Sequence, residues 1–125
     1  MLTGEGAAEG LGVRLVAGGT DLWPNLKRRS QKASTVVSLG AVDGLRDVHC
    51  GNGDGTRIGG MVTLAHLGRH ADLERRYPAL SSAARGISTP ALRNMGTIGG
   101  NLCLDTRCNY YNQSEEWRRS VDYCM

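Results

Sequence analysis

Apolar and polar positions divide the chain into short elements separated by clear breaks. Val13-Arg14-Leu15-Val16-Ala17 predicts a short buried strand, and the glycine-rich residues 1 to 12 before it predict a loose lead-in. Gly18-Gly19 ends that strand. Thr20 suits an N-cap and Asp21 an acidic first helical position, with a helix running from Leu22 to Arg29. Pro24 falls near the first turn, where its missing amide costs least. Lys27, Arg28 and Arg29 suit the negative end of the helix dipole. Thr35-Val36-Val37-Ser38-Leu39 is rich in β-branched residues and predicts a second strand. Leu45 to Cys50 and Thr56 to Gly60 flank the turn-rich Gly51-Asn52-Gly53-Asp54-Gly55 and predict a hairpin. Thr63 is placed to cap a helix from Leu64 to His70, and helical stretches follow from Ala71 to Tyr77 and from Pro78 to about Gly86. Beyond Ile87, Pro90 and clustered glycines predict irregular chain. This order of strands and helices is that of a small α+β domain.

Composition sharpens the picture at one point. Glycine supplies 18 of 125 residues, about twice its average share of roughly 7%, so many turns need positive φ or close backbone approach. The net charge of +3 is too small to argue for nucleic acid or an anionic membrane as partner. No apolar run approaches the roughly 20 residues of a membrane helix. The start, MLTGEGAAEG, has neither the basic region nor the apolar core of a signal peptide. A cytoplasmic location is the expectation. There, Cys50, Cys103, Cys108 and Cys124 are reduced or metal-bound rather than paired. Both ends read as cut, so a piece of a longer chain is expected.

Two glycine segments carry the candidate chemistry. In Ala17-Gly18-Gly19-Thr20-Asp21 a strand ends, two glycines turn and a helix begins. Free amides at such a turn suit a phosphate when no side chain blocks its approach, and Thr20 adds a hydroxyl. In Gly96-Thr97-Ile98-Gly99-Gly100-Asn101 bare amides recur beside a threonine and a side-chain amide. Either segment alone is equally a tight turn without a ligand. Together they are able to hold a diphosphate if they meet in space.

VAGGTDL followed by RNMGTIGGN resembles the flavoprotein, or medium, subunits of the molybdenum hydroxylases, and IGGMVTLAHL and YPALSSAARGI fit the same family. The resemblance covers about Val13 to Asn101. It implies the PCMH-type FAD-binding fold, two small α+β subdomains with FAD between them, here truncated at both ends. It assigns FAD contacts to Ala17, Gly18, Gly19, Thr20 and Asp21, and to Thr97, Ile98, Gly99, Gly100 and Asn101. No catalytic side chain is expected. Partners implied are a molybdopterin-binding large subunit and a [2Fe–2S] small subunit.

After Asn101 the chain departs from most of that family. LCLDTRCNYYNQSEEWRRSVDYC resembles the β subunits of 4-hydroxybenzoyl-CoA reductases, whose inserted segment binds a [4Fe–4S] cluster. The resemblance implies a division into 1–102, a partial FAD-binding domain, and 103–125, the start of the insertion. Cys108 and Cys124 become cluster ligands, with further cysteines expected past Met125. Such clusters take four thiolates. From spacing alone, fifteen residues between Cys108 and Cys124 match no standard metal motif, and two free thiols are the preferred reading. Cys50 and Cys103 read as small buried core thiols. Trp23 and Trp117 read as packing residues, Tyr110 and Tyr111 as cover for the insertion. Glu74-Arg75-Arg76 and Glu115 to Arg119 read as solvated charge. His49, His66 and His70 show no carboxylate or cysteine at metal spacing, although His66 and His70 stand four apart on a predicted helix.

The expected function is electron transfer between a [4Fe–4S] cluster and FAD, fed by ferredoxin, for reductive dehydroxylation of an aromatic acyl-CoA. One alternative is the FAD subunit of a xanthine, aldehyde or carbon monoxide dehydrogenase-type hydroxylase without the extra cluster. Another is a non-enzymatic structural or zinc-binding module.

Overall fold

A β-α-β unit comes first among the described residues. β1 (Val13–Val16) pairs in parallel with β2 (Thr35–Ser38), Leu15 opposite Val37, and α1 (Leu22–Lys27) forms the crossover between them. A computed structural model describes residues 12–28, 31–51, 53–104, 108–109 and 113–122. The second sheet is the antiparallel hairpin of β3 (Val48–Cys50) and β4 (Thr56–Ile58). Helices follow: α2 (Leu64–Leu67), α3 (Ala71–Arg76), α4 (Pro78–Gly86), α5 (Pro90–Met95), α6 (Ile98–Leu102) and α7 (Glu115–Ser120). The fold is mixed α+β, as the element order predicts.

The core lies between the hairpin and the helices. Val62, Leu67, Leu73 and Ala84 are buried together, and Val48, Cys50, Ile58, Leu80 and Ile98 pack against them. Ser81 is fully buried at the same place and its hydroxyl donates to the Leu67 carbonyl in a long contact of 3.5 Å, which offsets part of the cost of burying it. The Thr63 cap forms as expected, its hydroxyl accepting from the His66 amide at 3.1 Å.

Several expectations are corrected. β1 is not buried: only Val16 is shielded, while Val13 and Leu15 are exposed beside the exposed Val37. An apolar strand segment fixes which residues pair, but burial needs a covering layer. Asp21, not Thr20, is the N-cap of α1, and its side chain makes no capping bond. The helix expected through His70 stops at Leu67, with Gly68 as C-cap, so His66 and His70 lie on different elements. The chain after Ile87 is helical, because Thr89 and Thr97 accept from Leu92 and Gly100 amides and cap α5 and α6. Cys103 is exposed rather than buried. Arg76 and Glu74 are structural as well as charged: Arg76 donates to the Gly51 carbonyl at 2.6 Å and Glu74 pairs with Arg85 at 2.9 Å. Residues 1–11, Arg29, Tyr110, Tyr111 and Cys124 lie outside the described residues.

Candidate functional site

The end of β1 delivers Ala17 to Asp21 to the side of α5 and α6. A Cβ on Gly18 would fall 1.9 Å from the Met95 carbonyl oxygen and 3.1 Å from the Gly96 Cα, so only glycine permits this approach. The Ala17 Cβ lies 3.7 Å from the Cβ position of Gly100, and Thr20 Oγ1 lies 3.6 Å from that of Gly96. The two glycine segments therefore meet. Gly19 adopts φ +72 over the Trp23 ring, a conformation that L side chains avoid.

The segments differ in what they present. The amides of Gly18, Gly19 and Thr20 find no acceptor among the described residues. Those of the second segment are engaged. Ile98 N–H donates to Val62 O, Gly99 N–H to Gly60 O and Asn101 N–H to Thr97 O, each at 2.9 Å. Gly100 N–H donates to Thr97 Oγ1 at 3.1 Å. The expectation of bare amides at 98–101 is thus corrected: these bonds build α6 and fasten it to the residues before α2. Gly99 also has a structural reason to be small, since a Cβ there would lie 2.7 Å from Gly60 O. Thr97 is buried and forms an isolated antiparallel bridge with Thr63.

A cleft of about 420 Å³ opens beside the first segment, lined on one side by Gly18, Gly19, Thr20 and Trp23 and on the other by Leu92 and Met95, and Thr97 to Asn101 are not in its lining. Lys27 and Arg28 line its rim and are exposed. Unpartnered amides, a glycine turn and two cations suit a phosphorylated ligand, while Trp23, Leu92 and Met95 suit an apolar one. α1 has only six residues, so its dipole adds little there. These features fit the pyrophosphate of a dinucleotide. Sequence reasoning missed Lys27, Arg28, Leu92 and Met95 as cleft residues. Two basic residues following the Gly-Gly turn were the available signal, and they read equally as helix-end charges.

The other candidates are placed apart. Cys108 is exposed, outside the cleft lining, and Trp23 is half-exposed in the cleft rather than packed away. No helix among the described residues is long and apolar enough to cross a membrane.

The pattern of the family described as the FAD binding domain in molybdopterin dehydrogenase matches residues 5–113. The nicotine 6-hydroxylase medium subunit of Paenarthrobacter nicotinovorans is 37% identical over 89 residues, 71% of this chain and 31% of that subunit. The xanthine dehydrogenase FAD-binding subunit of Escherichia coli O157:H7 is 33% identical over 90 residues, 72% of this chain and 31% of that subunit. Among solved structures, carbon monoxide dehydrogenase from Hydrogenophaga pseudoflava, in a form lacking the Mo-pyranopterin moiety of its molybdenum cofactor, matches with a TM-score of 0.69 at 32% identity, over 72% of this chain and 31% of that one. The chain spans about a third of the length of these relatives.

Proposed function

The chain belongs to the family of FAD binding domains in molybdopterin dehydrogenases, and from that premise we propose how it holds its cofactor and what the cofactor serves. It is an FAD-binding part of an oxidoreductase subunit of the molybdenum hydroxylase family. The Gly18, Gly19 and Thr20 amides take the pyrophosphate, with Ala17 and Asp21 setting the turn. Lys27 and Arg28 supply compensating charge at the rim. Thr97, Ile98, Gly99, Gly100 and Asn101 stand beside the turn rather than in the cleft lining, held by hydrogen bonds to Val62 and Gly60, and take the FAD contacts that the resemblance assigns to them, with the Asn101 side chain as their polar group. Trp23 and Met95 keep water from one flank. FAD supplies the redox chemistry; the chain supplies position and electrostatics. The observation that carries this reading is the seating of Gly18 on Met95 and Gly96 beside three amides that find no acceptor among the described residues.

The finer reading rests on the segment after Asn101. Residues 103–125 form the start of an iron–sulfur insertion, in which Cys108 and Cys124 ligate a [4Fe–4S] cluster. The chain then serves a 4-hydroxybenzoyl-CoA reductase-like complex in the cytoplasm, beside a molybdopterin large subunit and a [2Fe–2S] small subunit. Ferredoxin supplies low-potential electrons through the cluster to the flavin. What supports this is the cysteine-bearing segment itself, which runs on past residue 113, where the family match ends. Anaerobic purification of the full-length protein, with FAD and iron quantified, tests both levels. FAD and four irons per chain are expected. FAD without iron selects the xanthine, aldehyde or carbon monoxide dehydrogenase type, and the absence of both selects a structural module.

A further inference from the structure

A second group of residues, none of them in the cleft lining, lies where the hairpin meets α3. Cys50 ends β3, His70 is the N-cap of α3 and Asp72 is in its first turn. One ligand atom from each of these three residues falls within 4.8 Å of the others, and all three are partly buried. Sequence spacing hides the group, because the cysteine is twenty residues from the histidine. The fold assembles it: the Arg76 guanidinium grips the Gly51 carbonyl at 2.6 Å and draws the end of the hairpin onto α3.

Two further observations point to a ligand rather than to chance proximity. His70 occupies an N-cap position where serine, threonine, aspartate or asparagine is usual, and its side chain does no capping. Its Nδ1 atom is shut off from solvent and has no hydrogen-bond partner among the described residues, a state that native proteins avoid. One Asp72 oxygen is held by Arg75, which orients the carboxylate as an outer-shell partner orients a metal ligand.

We propose that Cys50, His70 and Asp72 bind a zinc ion that clamps the hairpin to α3. A thiolate, an imidazole and a carboxylate form a donor set that zinc favours, with a water in the fourth position. Neighbouring ligands on a zinc tetrahedron stand about 3.3–3.8 Å apart, given bonds of about 2.0–2.3 Å. Closure from the present spacing therefore needs shifts of about 1 Å, within reach of side-chain rotation. Binding replaces the Cys50 thiol proton, which leaves to solvent, with the metal. His66, its ring 5.5 Å from that of His70, borders the site without joining the group of three. The site is separate from the flavin cleft and does not depend on that reading.

Cobalt(II) and zinc(II) titrations of the metal-free full-length protein test it, with Cys103, Cys108, Cys124 and every cysteine beyond Met125 replaced by serine so that any thiolate signal comes from Cys50. One cobalt per chain with a thiolate-to-cobalt charge-transfer band is expected, displaced by one equivalent of zinc. Cys50→Ser abolishes the band. Asp72→Asn, a conservative change on a half-exposed turn, weakens zinc at least about tenfold with unchanged circular dichroism. Absence of the band in the parent, or unchanged zinc affinity in Asp72→Asn, overturns the proposal even if Cys50→Ser does not fold.

Discussion

At the scale of single residues, the glycines separate two roles that composition merges. Gly18 and Gly99 are small because backbone lies where a Cβ would stand, Met95 in one case and Gly60 in the other. Among the described residues only Gly19 combines positive φ with a place at the cleft. The sequence shows that bare backbone is needed at these positions, but not whether protein or ligand fills the space, because both requirements select glycine. Gly18→Ala is expected to cost about 1–3 kcal/mol through forced displacement of Met95 and Gly96, and to lower FAD retention. Gly86, at the end of α4, has nothing within 4 Å of its Cβ position and no positive φ. Gly86→Ala should stabilise by about 0.4–1 kcal/mol, since it restricts the unfolded chain without a clash. Urea unfolding of the two variants checks both signs. Equal effects would show that packing at residue 18 is not what matters.

At the scale of elements, the legible features are those written locally. The hairpin, α2 with its Thr63 cap, and the Pro78 start of α4 follow from turn residues, capping and periodicity. α5 and α6 are harder to read for opposite reasons. Thr89-Pro90 is a proper start signal, a capping hydroxyl followed by proline at the first helical position, obscured by the glycines after it. α6 contains Gly99 and Gly100, each costing about 1 kcal/mol relative to alanine, and it persists because tertiary bonds from Ile98 and Gly99 to Val62 and Gly60 override that preference. Its stability should then hinge on Thr97, which caps it, is buried and bridges to Thr63. Thr97→Ala is expected to cost about 1–2 kcal/mol, and Ser114→Ala, at the exposed cap of α7, nearer about 0.5 kcal/mol. Denaturant midpoints measured on the two variants decide it: a smaller loss at 97 than at 114 would mean that α6 is not anchored through its cap.

At the scale of the whole molecule, the candidate cleft falls at the seam between the β-α-β unit and the helices, and this explains why it was only half legible. Each side of the seam is a local pattern, a strand-glycine-helix turn here and a capped glycine helix there. Their meeting depends on the backbone contact of Gly18 with Met95 and Gly96, between residues some eighty positions apart, which no local pattern reports. A ligand held at a seam resists the separation of its two sides. It binds the folded state and not the unfolded one, so saturation at about one hundred times the dissociation constant adds about 2.7 kcal/mol, on the order of 10 °C in melting temperature for a domain of this size. The amides at 18–20, unpartnered among the described residues, and the cations at 27 and 28 suit phosphates rather than the flavin ring. FAD is therefore expected to raise the melting temperature most, ADP to give a large part of that rise, and riboflavin to give little. High salt should shrink the ADP effect, because Lys27 and Arg28 are exposed and screened. Thermal melts with the three ligands distinguish the possibilities: if riboflavin protects as well as FAD while ADP does nothing, the turn at Gly18 and Gly19 is not a pyrophosphate grip, and the cleft recognises the ring through Trp23 and Met95 instead.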